Sequence, residues 1–201
     1  MAEQFRQFIS KEALDLLSYR STLGQSLKQI HLSRTPIEVI LEDIAKYRES
    51  YIETFVQENL IGSRFKSDDS ILRKYEKVLR TGGGFKQCFN DVLGFRLKFD
   101  EYPTEFPDYF RVVDLRQGKQ VDDGYRAIHL YYQRDSWSYP IEVQLWCGRD
   151  FCFNIWSHRY AYKYSSETIG LHMRELFDAG DIQTEQAFKN KLKELTSRDG
   201  R

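Results

Sequence analysis

Residues 122–146 read DDGYRAIHLYYQRDSWSYPIEVQLW, and two runs within this stretch decide the fold. Asp123-Gly124 is a turn signal, and the runs at 125–133 and 141–146 are rich in aromatic and β-branched residues. The second run, IEVQLW, alternates apolar with polar positions, as a strand does when one of its faces packs on a core. The stretch therefore predicts two strands of a sheet.

The same reasoning places further elements on both sides of this stretch. Further strands are predicted at residues 61–66, 92–99 and 109–115. Helical spacing predicts helices over residues 3–19, 36–60, 68–79, 149–164, 167–177 and 181–195. The stripe of the second helix extends through Phe55. The order helix, sheet, helix indicates a mixed α/β or α+β single domain, with an N-terminal helical segment over 1–60, a core over 61–164 and C-terminal helices over 165–201.

The composition excludes several classes of protein. Lys plus Arg number 30 and Asp plus Glu number 30, so no overall charge steers the chain toward nucleic acid or a membrane. The N-terminal run carries charges throughout and fits neither a signal peptide nor a transmembrane span, so we expect a cytoplasmic protein that does not contact a membrane. Cys88, Cys147 and Cys152 fit no disulfide framework and no four-ligand zinc pattern, and we expect reduced, mostly buried thiols.

Familiar cofactor and hydrolase signatures are missing from the sequence. The stretch Gly82-Gly83-Gly84-Phe85-Lys86 lacks the spacing of a P-loop, and we interpret it as a flexible connector. The sequence contains no His-Asp pair, no HExxH and no Gly-x-Ser-x-Gly. The chemistry must then come from charged residues around the sheet.

The stretch GSRFKSDDSILRK, which begins at Gly62, could form a phosphate site. Arg64 and Lys66 alternate onto one face of an extended segment, while Ser70 and Lys74 share one face of the following helix. The N-terminus of that helix directs free N–H groups toward the same region. A basic face that contacts only solvent is the alternative.

Two carboxylates come from different predicted strands. Asp91 opens DVLGFRLKF, and Glu142 lies in IEVQLW. Carboxylate oxygens suit Mg²⁺, and one carboxylate could also take a proton from an attacking hydroxyl. Strict alternation puts Asp91 and Arg96 on opposite faces, which conflicts with a shared site unless Asp91 precedes the strand or Gly94 marks a bulge. Both resolutions stay open.

Tyrosines follow the turn at Asp123-Gly124. Tyr125, His129 and Tyr131 would share one strand face. An exposed tyrosine there could stack on a nucleobase. Alternatively, the tyrosines pack in an aromatic core with His129 hydrogen-bonded among them.

Five motifs, taken in order, resemble the synthetase domain of the RelA/SpoT family, whose members make the alarmone (p)ppGpp. They are RFKSDDSILRK, DVLGFR, DGYRAIHL, IEVQLW and HRYAYK, and the match spans about residues 60–163. The resemblance implies a mixed, roughly five-stranded sheet flanked by helices and related to nucleotidyltransferases. It also implies transfer of the β,γ-diphosphate of ATP to a ribose 3′-hydroxyl, with release of AMP and with Mg²⁺ as cofactor.

The resemblance assigns roles to individual residues. Asp91 and Glu142 would hold Mg²⁺, and Glu142 would also activate the attacking hydroxyl. Tyr125 would stack on the acceptor base, while His129 and Gln144 line the same site. ATP would be surrounded by Arg64, Lys66, Ser70, Lys74 and Arg96, with Arg64 near adenine and the lysines on phosphates.

The sequence also departs from the family pattern. Asp123 replaces an asparagine, Trp146 replaces an arginine, and Ser157 stands where a glutamate commonly precedes His158. With these changes and no hydrolase motif, the chain resembles the toxic small alarmone synthetases of toxin–antitoxin pairs. Some of these move diphosphate onto the 3′ CCA end of tRNA.

That resemblance implies tRNA as the acceptor and an antitoxin protein as a partner. An aromatic platform for the terminal base and basic residues for nearby phosphates would suit a single-stranded end. The candidate basic residues are Lys28, Arg34, Arg116 and Lys119. Synthesis of (p)ppGpp from ATP and GDP or GTP is one alternative, and a catalytically silent domain that binds a nucleotide or a protein is another.

Overall fold

The computed structural model describes residues 5–51, 59–161 and 167–198. The helices are α1 (Lys11–Leu17), α2 (Ile37–Ser50), α3 (Asp68–Arg80), α4 (Phe85–Cys88), α5 (Gly148–Trp156), α6 (Glu167–Ala179) and α7 (Glu185–Arg198). The strands are β1 (Leu60–Phe65), β2 (Leu93–Phe99), β3 (Arg111–Asp114), β4 (Ile128–Tyr132) and β5 (Ile141–Cys147). A π-helical turn, Ser157–Ala161, follows α5.

The strands form one five-stranded sheet in the order β1-β2-β5-β4-β3. Strands β1 and β2 are antiparallel, with Arg64 opposite Gly94 and Phe65 opposite Leu93, and their register is irregular between Leu60 and Gly62. Both faces of β5 are buried except at Gln144. The predicted mixed sheet with flanking helices is confirmed.

The chain packs into two compact units. The first unit takes the described residues of 1–97, 104–112 and 130–144, and the second takes those of 98–103, 113–129 and 145–201. In the second unit, α5, α6 and α7 enclose an apolar cluster of Phe153, Met173, Phe177, Ile182, Phe188 and Leu192. The domain boundaries given above stay predictions.

A buried carboxylate anchors the first unit. Asp43 on α2 is 1% exposed. It accepts hydrogen bonds from the hydroxyls of Tyr19, Ser21, Thr22 and Tyr139 at 2.7–3.1 Å, and from the backbone N–H of Thr22 at 2.8 Å. Such a charge is tolerated inside a protein only when its oxygens are satisfied. Because only Pro140 separates Tyr139 from β5, this network fixes the start of the strand that carries Glu142.

Several helices differ from the sequence prediction at their ends: α7 begins at Glu185 rather than at residue 181, and the helix predicted over 149–164 changes to the π-helical turn at Ser157. The helix predicted over 36–60 ends at Ser50, because the backbone of Tyr51 is extended, and Leu60 already belongs to β1. Phe55 lies outside the described residues. The first helix begins at Lys11 rather than at residue 3, since the Ser10 hydroxyl accepts from the Ala13 N–H and caps it there.

The glycine stretch at 82–84 is followed directly by a short helix. Gly82 has a φ of +72°, a backbone conformation that favours glycine. The next residue after the stretch, Phe85, is 3% exposed and packs on Phe89 with ring centroids 4.6 Å apart. The interpretation of Phe85 and Lys86 as part of a flexible connector was therefore wrong, since burial of the aromatic ring stabilises α4.

The three cysteines are free thiols. Burial raises the pKa of Cys88 to about 11 and that of Cys147 to about 12. Cys152 is partly buried. This agrees with the expectation of reduced, mostly buried thiols.

Candidate active site

A lysine pair and one carboxylate form a cluster in the first unit. Lys66 follows β1, Lys74 lies on α3, and Asp91 precedes β2. The Lys66 ammonium is 2.5 Å from Asp91 Oδ2, and the Lys74 ammonium is 2.9 Å from Asp91 Oδ1. Lys74 also donates to Asn90 Oδ1 at 2.6 Å. An ammonium has three N–H groups, so both lysines keep donors that could bind phosphate oxygens.

The backbone around this cluster is held by Arg48 on α2. Its guanidinium donates to the Lys66 carbonyl at 2.7 Å and to Asp68 Oδ1 at 2.6 Å. The Lys66 N–H in turn donates to the Val92 carbonyl at 2.9 Å. These bonds fix the turn from β1 into α3 beside the start of β2, and so bring Lys66 to Asp91.

The position of Asp91 resolves the conflict left by strand alternation. Strand β2 begins at Leu93, so Asp91 precedes it, and alternation with Arg96 does not apply. This is the first of the two resolutions considered above. Arg96 instead contacts Gln144 on the neighbouring strand β5.

Ser70 lies one turn before Lys74 on α3. Its hydroxyl accepts hydrogen bonds from the Ser67 hydroxyl at 2.9 Å and from the Arg73 guanidinium at 3.1 Å. Ser67 occupies the N-cap position, but its side chain makes no capping hydrogen bond. Ser70 is therefore held at the first turn of α3 by its neighbours on that helix.

A small cleft lies over the adjacent strands β1, β2 and β5. It has a volume of about 120 Å³, and four predicted site residues line it, namely Arg64, Arg96, Glu142 and Gln144. Gly94 also lines the cleft, and a side chain at this position would begin 3.8 Å from Glu142 Oε2. A side chain at position 94 would therefore touch the carboxylate at ordinary van der Waals distance.

Glu142 is held on both of its oxygens. The side chain is 6% exposed. Its Oε1 accepts from the Tyr131 hydroxyl at 2.9 Å, and its Oε2 accepts from Gln144 Nε2 at 2.8 Å. Arg96 Nε donates to Gln144 Oε1 at 3.2 Å. Because arginine can only donate, this contact turns the amide oxygen of Gln144 toward Arg96 and its NH₂ toward Glu142.

Tyr131 on β4 was not assigned a role from the sequence. Burial raises the pKa of its hydroxyl, and the nearby carboxylates of Glu142 and Asp91 raise it further, so the hydroxyl stays protonated and donates. The guanidinium of Arg111 lies 4.4 Å from the centroid of the ring. Strand alternation predicted that Tyr131 and His129 lie on the same face of their strand. The sequence does not show that β4 lies beside β5, so the contact between Tyr131 and Glu142 could not be predicted.

An aromatic cluster lies in the second unit, and Tyr125 is its centre. Trp146 Nε1 donates to the Tyr125 hydroxyl at 2.9 Å, and that hydroxyl is 2.9 Å from His129 Nε2. Both neighbouring rings meet Tyr125 edge to face. The Lys119 ammonium lies 4.6 Å from the Tyr125 ring centroid and 2.6 Å from Asp123 Oδ2. The cluster therefore fixes the orientation of a half-buried tyrosine.

Tyr125 lies outside the strand in which the sequence predicted it. Strand β4 begins at Ile128, so Tyr125 precedes the strand, and the expected shared strand face holds only for His129 and Tyr131. Trp146 was not expected to contact Tyr125. Strand alternation puts Trp146 on the face of Glu142 and Gln144, opposite the apolar Ile141, Val143 and Leu145. That position was the signal in the sequence that could have predicted the contact.

The four basic residues proposed for tRNA lie in different surroundings. Arg116 is paired with Asp114 at 2.7 Å, and Lys119 is paired as described above. Lys28 and Arg34 are exposed residues of the loop before α2. Burial lowers the pKa of Lys86, and the charges of Arg111 and Lys28 lower it further.

Within the described residues, no three His, Cys, Asp or Glu side chains converge on a point that could hold a metal ion. No helix in the described part of the chain is long and apolar enough to cross a membrane.

Comparisons with known proteins are limited to distant structures. No protein-family model matches this sequence, and no curated protein matches it. The small alarmone synthetase 1 from Bacillus subtilis bound to pppGpp is 22% identical, with a TM-score of 0.41, and the match covers 81% of this chain and 90% of that one. The same synthetase without that product is 20% identical, with a TM-score of 0.39 and coverage of 82% and 90%. A GTP pyrophosphokinase family protein from Streptococcus pneumoniae is 18% identical, with a TM-score of 0.35 and coverage of 82% and 84%. At these values, the similarity assigns no activity to this chain.

Proposed function

We propose that this protein transfers the β,γ-diphosphate of ATP to a ribose 3′-hydroxyl and releases AMP. The observation that carries the proposal is Glu142, a buried carboxylate held on both oxygens in a cleft that Arg64 and Arg96 also line. A carboxylate beside two guanidinium groups can take a proton while the cations neutralise phosphate charge. The five motifs that resemble RelA/SpoT synthetases include all three residues.

In the proposed step, the acceptor hydroxyl oxygen attacks the β-phosphorus of ATP. A new O–P bond forms, the bond from the β-phosphorus to the oxygen shared with the α-phosphate breaks, and AMP leaves with that electron pair. Glu142 accepts the hydroxyl proton. Phosphoryl transfer of this kind depends mainly on positioning and on charge neutralisation, which is what this chain supplies.

The proposed donor site is the lysine pair with its neighbours. Lys66 and Lys74, oriented by Asp91, would bind the phosphates of ATP, and Ser70 at the first turn of α3 would add a hydroxyl. Arg64 and Arg96 would lie along the same nucleotide. A cluster of fixed ammonium and guanidinium groups is well suited to a polyphosphate.

Asp91 and Glu142 would hold Mg²⁺. Their hard oxygen ligands fit this ion, and Mg²⁺ commonly takes only one or two protein carboxylates while substrate phosphates and water complete its shell. When bound, the ion would neutralise charge on the transferred phosphates.

For the acceptor, we propose the 3′ CCA end of tRNA, which would make the protein a translation-inhibiting toxin with an antitoxin partner. This preference rests on the resemblance to the toxic small alarmone synthetases, which the altered loop at Asp123 and the lack of a hydrolase motif support. Tyr125 would offer its ring to the terminal base. Synthesis of (p)ppGpp from GDP or GTP uses the same donor chemistry and is the second candidate.

The test is a transfer assay with ATP labelled at the γ-phosphate. The protein is incubated with deacylated tRNA, with GDP, with GTP and with no acceptor, in the presence of Mg²⁺. We expect label on tRNA, release of AMP, and no labelling of tRNA whose 3′ end has been oxidised with periodate. Label on GDP or GTP alone would establish alarmone synthesis instead, and no transfer to any acceptor would leave a silent binding domain.

A further inference from the structure

We infer that Tyr131 is a positioning residue that holds the Glu142 carboxylate in its reactive orientation, an inference that rests on the proposed function. The contact is direct, since the Tyr131 hydroxyl donates to Glu142 Oε1 at 2.9 Å. None of the five motifs assigns a role to Tyr131. The residue acts through Glu142 and does not itself contact the reacting atoms.

Two hydrogen bonds from neighbouring side chains orient the Glu142 carboxylate. Gln144 holds Oε2 at 2.8 Å, and its amide is oriented by Arg96. Tyr131 holds Oε1 from the neighbouring strand. Without the tyrosine hydroxyl, Oε1 of a 6% exposed glutamate loses this hydrogen bond, and the carboxylate can rotate about its last torsion.

The ring of Tyr131 is itself fixed. The guanidinium of Arg111 lies 4.4 Å from the ring centroid, which is the distance of a cation–π contact. A cation over the ring also draws electron density from it and so strengthens the hydroxyl as a donor. The carboxylate is therefore positioned by a hydroxyl whose own ring is held by Arg111.

The next residue in β4 offers a matched control. Tyr132 is 3% exposed, and its hydroxyl also donates to a carboxylate, that of Asp15. Both tyrosines thus lose one hydroxyl–carboxylate bond on substitution by phenylalanine, and both variants keep the ring. Only Tyr131→Phe changes a contact to Glu142.

The experiment compares Tyr131→Phe and Tyr132→Phe with the unsubstituted protein in kcat, in KM for both substrates, in ATP dissociation constant and in melting temperature. For Tyr131→Phe, we expect kcat to fall about ten- to hundredfold, the effect of losing a hydrogen bond to a charged group. The KM values and the ATP dissociation constant should stay within about twofold. Tyr132→Phe should keep the kcat of the unsubstituted protein, even if its melting temperature falls as far as that of Tyr131→Phe. A Tyr131→Phe kcat within about twofold of the unsubstituted protein would overturn the inference, as would an equal loss in Tyr132→Phe.

Crystal structures of the unsubstituted protein and of Tyr131→Phe separate this inference from the proposed function. We expect the Glu142 carboxylate in the variant to leave the orientation that it has in the unsubstituted protein. If it keeps its orientation, the positioning role is wrong, whatever the activity. If the unsubstituted protein transfers no diphosphate to any acceptor, the proposed function fails, while the comparison of the two structures still decides whether Tyr131 orients Glu142.

Discussion

The first unit builds its candidate site from charges, whereas the second builds its own from aromatic rings. In the first, Asp91 bridges two ammonium groups and Glu142 is held beside two guanidinium groups. In the second, the hydroxyl of Tyr125 is held between the indole of Trp146 and the ring of His129. Fixed charges are suited to a polyphosphate, and a fixed ring is suited to a nucleobase. Under the proposed function, the charged region would serve the donor and the aromatic region the acceptor, and substitutions in each region test this division.

The largest effect is expected from removing a carboxylate of the first unit. Glu142→Gln keeps the shape of the side chain but cannot take a proton, so kcat should fall about 10²- to 10⁴-fold. Asp91→Asn should also abolish transfer, because it weakens Mg²⁺ ligation and leaves Lys66 and Lys74 without their shared counter-charge. The measurement is diphosphate transfer by each folded variant. The exposed Asp108→Asn serves as control and should retain activity, while near-normal turnover in Glu142→Gln or Asp91→Asn would refute the carboxylate assignment.

The next effect tests whether the basic cluster serves the donor alone. Lys66→Ala and Arg64→Ala should raise the KM for ATP about ten- to hundredfold, since each removes a charged contact to phosphate or nucleotide. The KM for the acceptor should change little. Saturation curves for both substrates give the answer, with the exposed Lys77→Ala on α3 as a matched control. Equal losses for ATP and acceptor would break the division between the two regions.

Tyr125→Ala is the corresponding change in the second unit. Loss of about 1 to 3 kcal/mol of stacking should reduce acceptor use about ten- to hundredfold without affecting ATP. Tyr125→Phe keeps the ring and should retain more activity, although it removes the hydrogen bond from Trp146, which is 3% exposed. Melting temperature and acceptor saturation are measured on the same preparations. A large fall in melting temperature with unchanged acceptor saturation would return Tyr125 to a purely structural role.

The sequence predicted the parts of the fold that local patterns determine. Strand β5 was found because Ile141, Val143 and Leu145 alternate with polar residues, and α3 because its apolar and charged positions repeat at helical spacing. The end of α2 was missed because Tyr51 continues the apolar stripe. In the structure, its ring packs edge to face on Phe65, with centroids 5.2 Å apart, so a tertiary contact rather than helical periodicity decides its position.

The candidate site was predictable to a similar extent. Asp91, Glu142, Lys66 and Lys74 stood out as charges in short motifs. Tyr131 and Trp146 did not, because an aromatic residue in a strand usually packs in a core, and only the pairing of strands shows which polar group its hydroxyl or N–H reaches. Sequence patterns thus revealed the charged groups of the first unit better than the neutral donors that orient key groups in both units.

The smallest expected effect concerns the loop before Tyr125, which an arginine stabilises in a pH-dependent way. Arg126 donates to both oxygens of Asp122 at 2.7 and 2.8 Å, and the Gly124 N–H donates to Oδ1 at 2.9 Å. These bonds hold the pKa of Asp122 below its usual value. A lowered folded-state pKa contributes stability above the unfolded-state value of about 3.9, and this stability is lost as the pH falls through the folded-state value.

Asp122→Asn cannot titrate, so it isolates this contribution. A partly exposed ion pair contributes about 1 kcal/mol at most to the free energy of unfolding. At that upper limit, the unsubstituted protein should melt about 2 to 4 °C higher than the variant at pH 7. The gap should close as the pH is lowered below about 4, because the other carboxylates titrate equally in both proteins. Asp114→Asn, which removes a more exposed pair with Arg116, should show a smaller gap. A difference between the unsubstituted protein and Asp122→Asn that stays constant down to pH 2.5 would show that the pair does not stabilise the loop before Tyr125 through its charge.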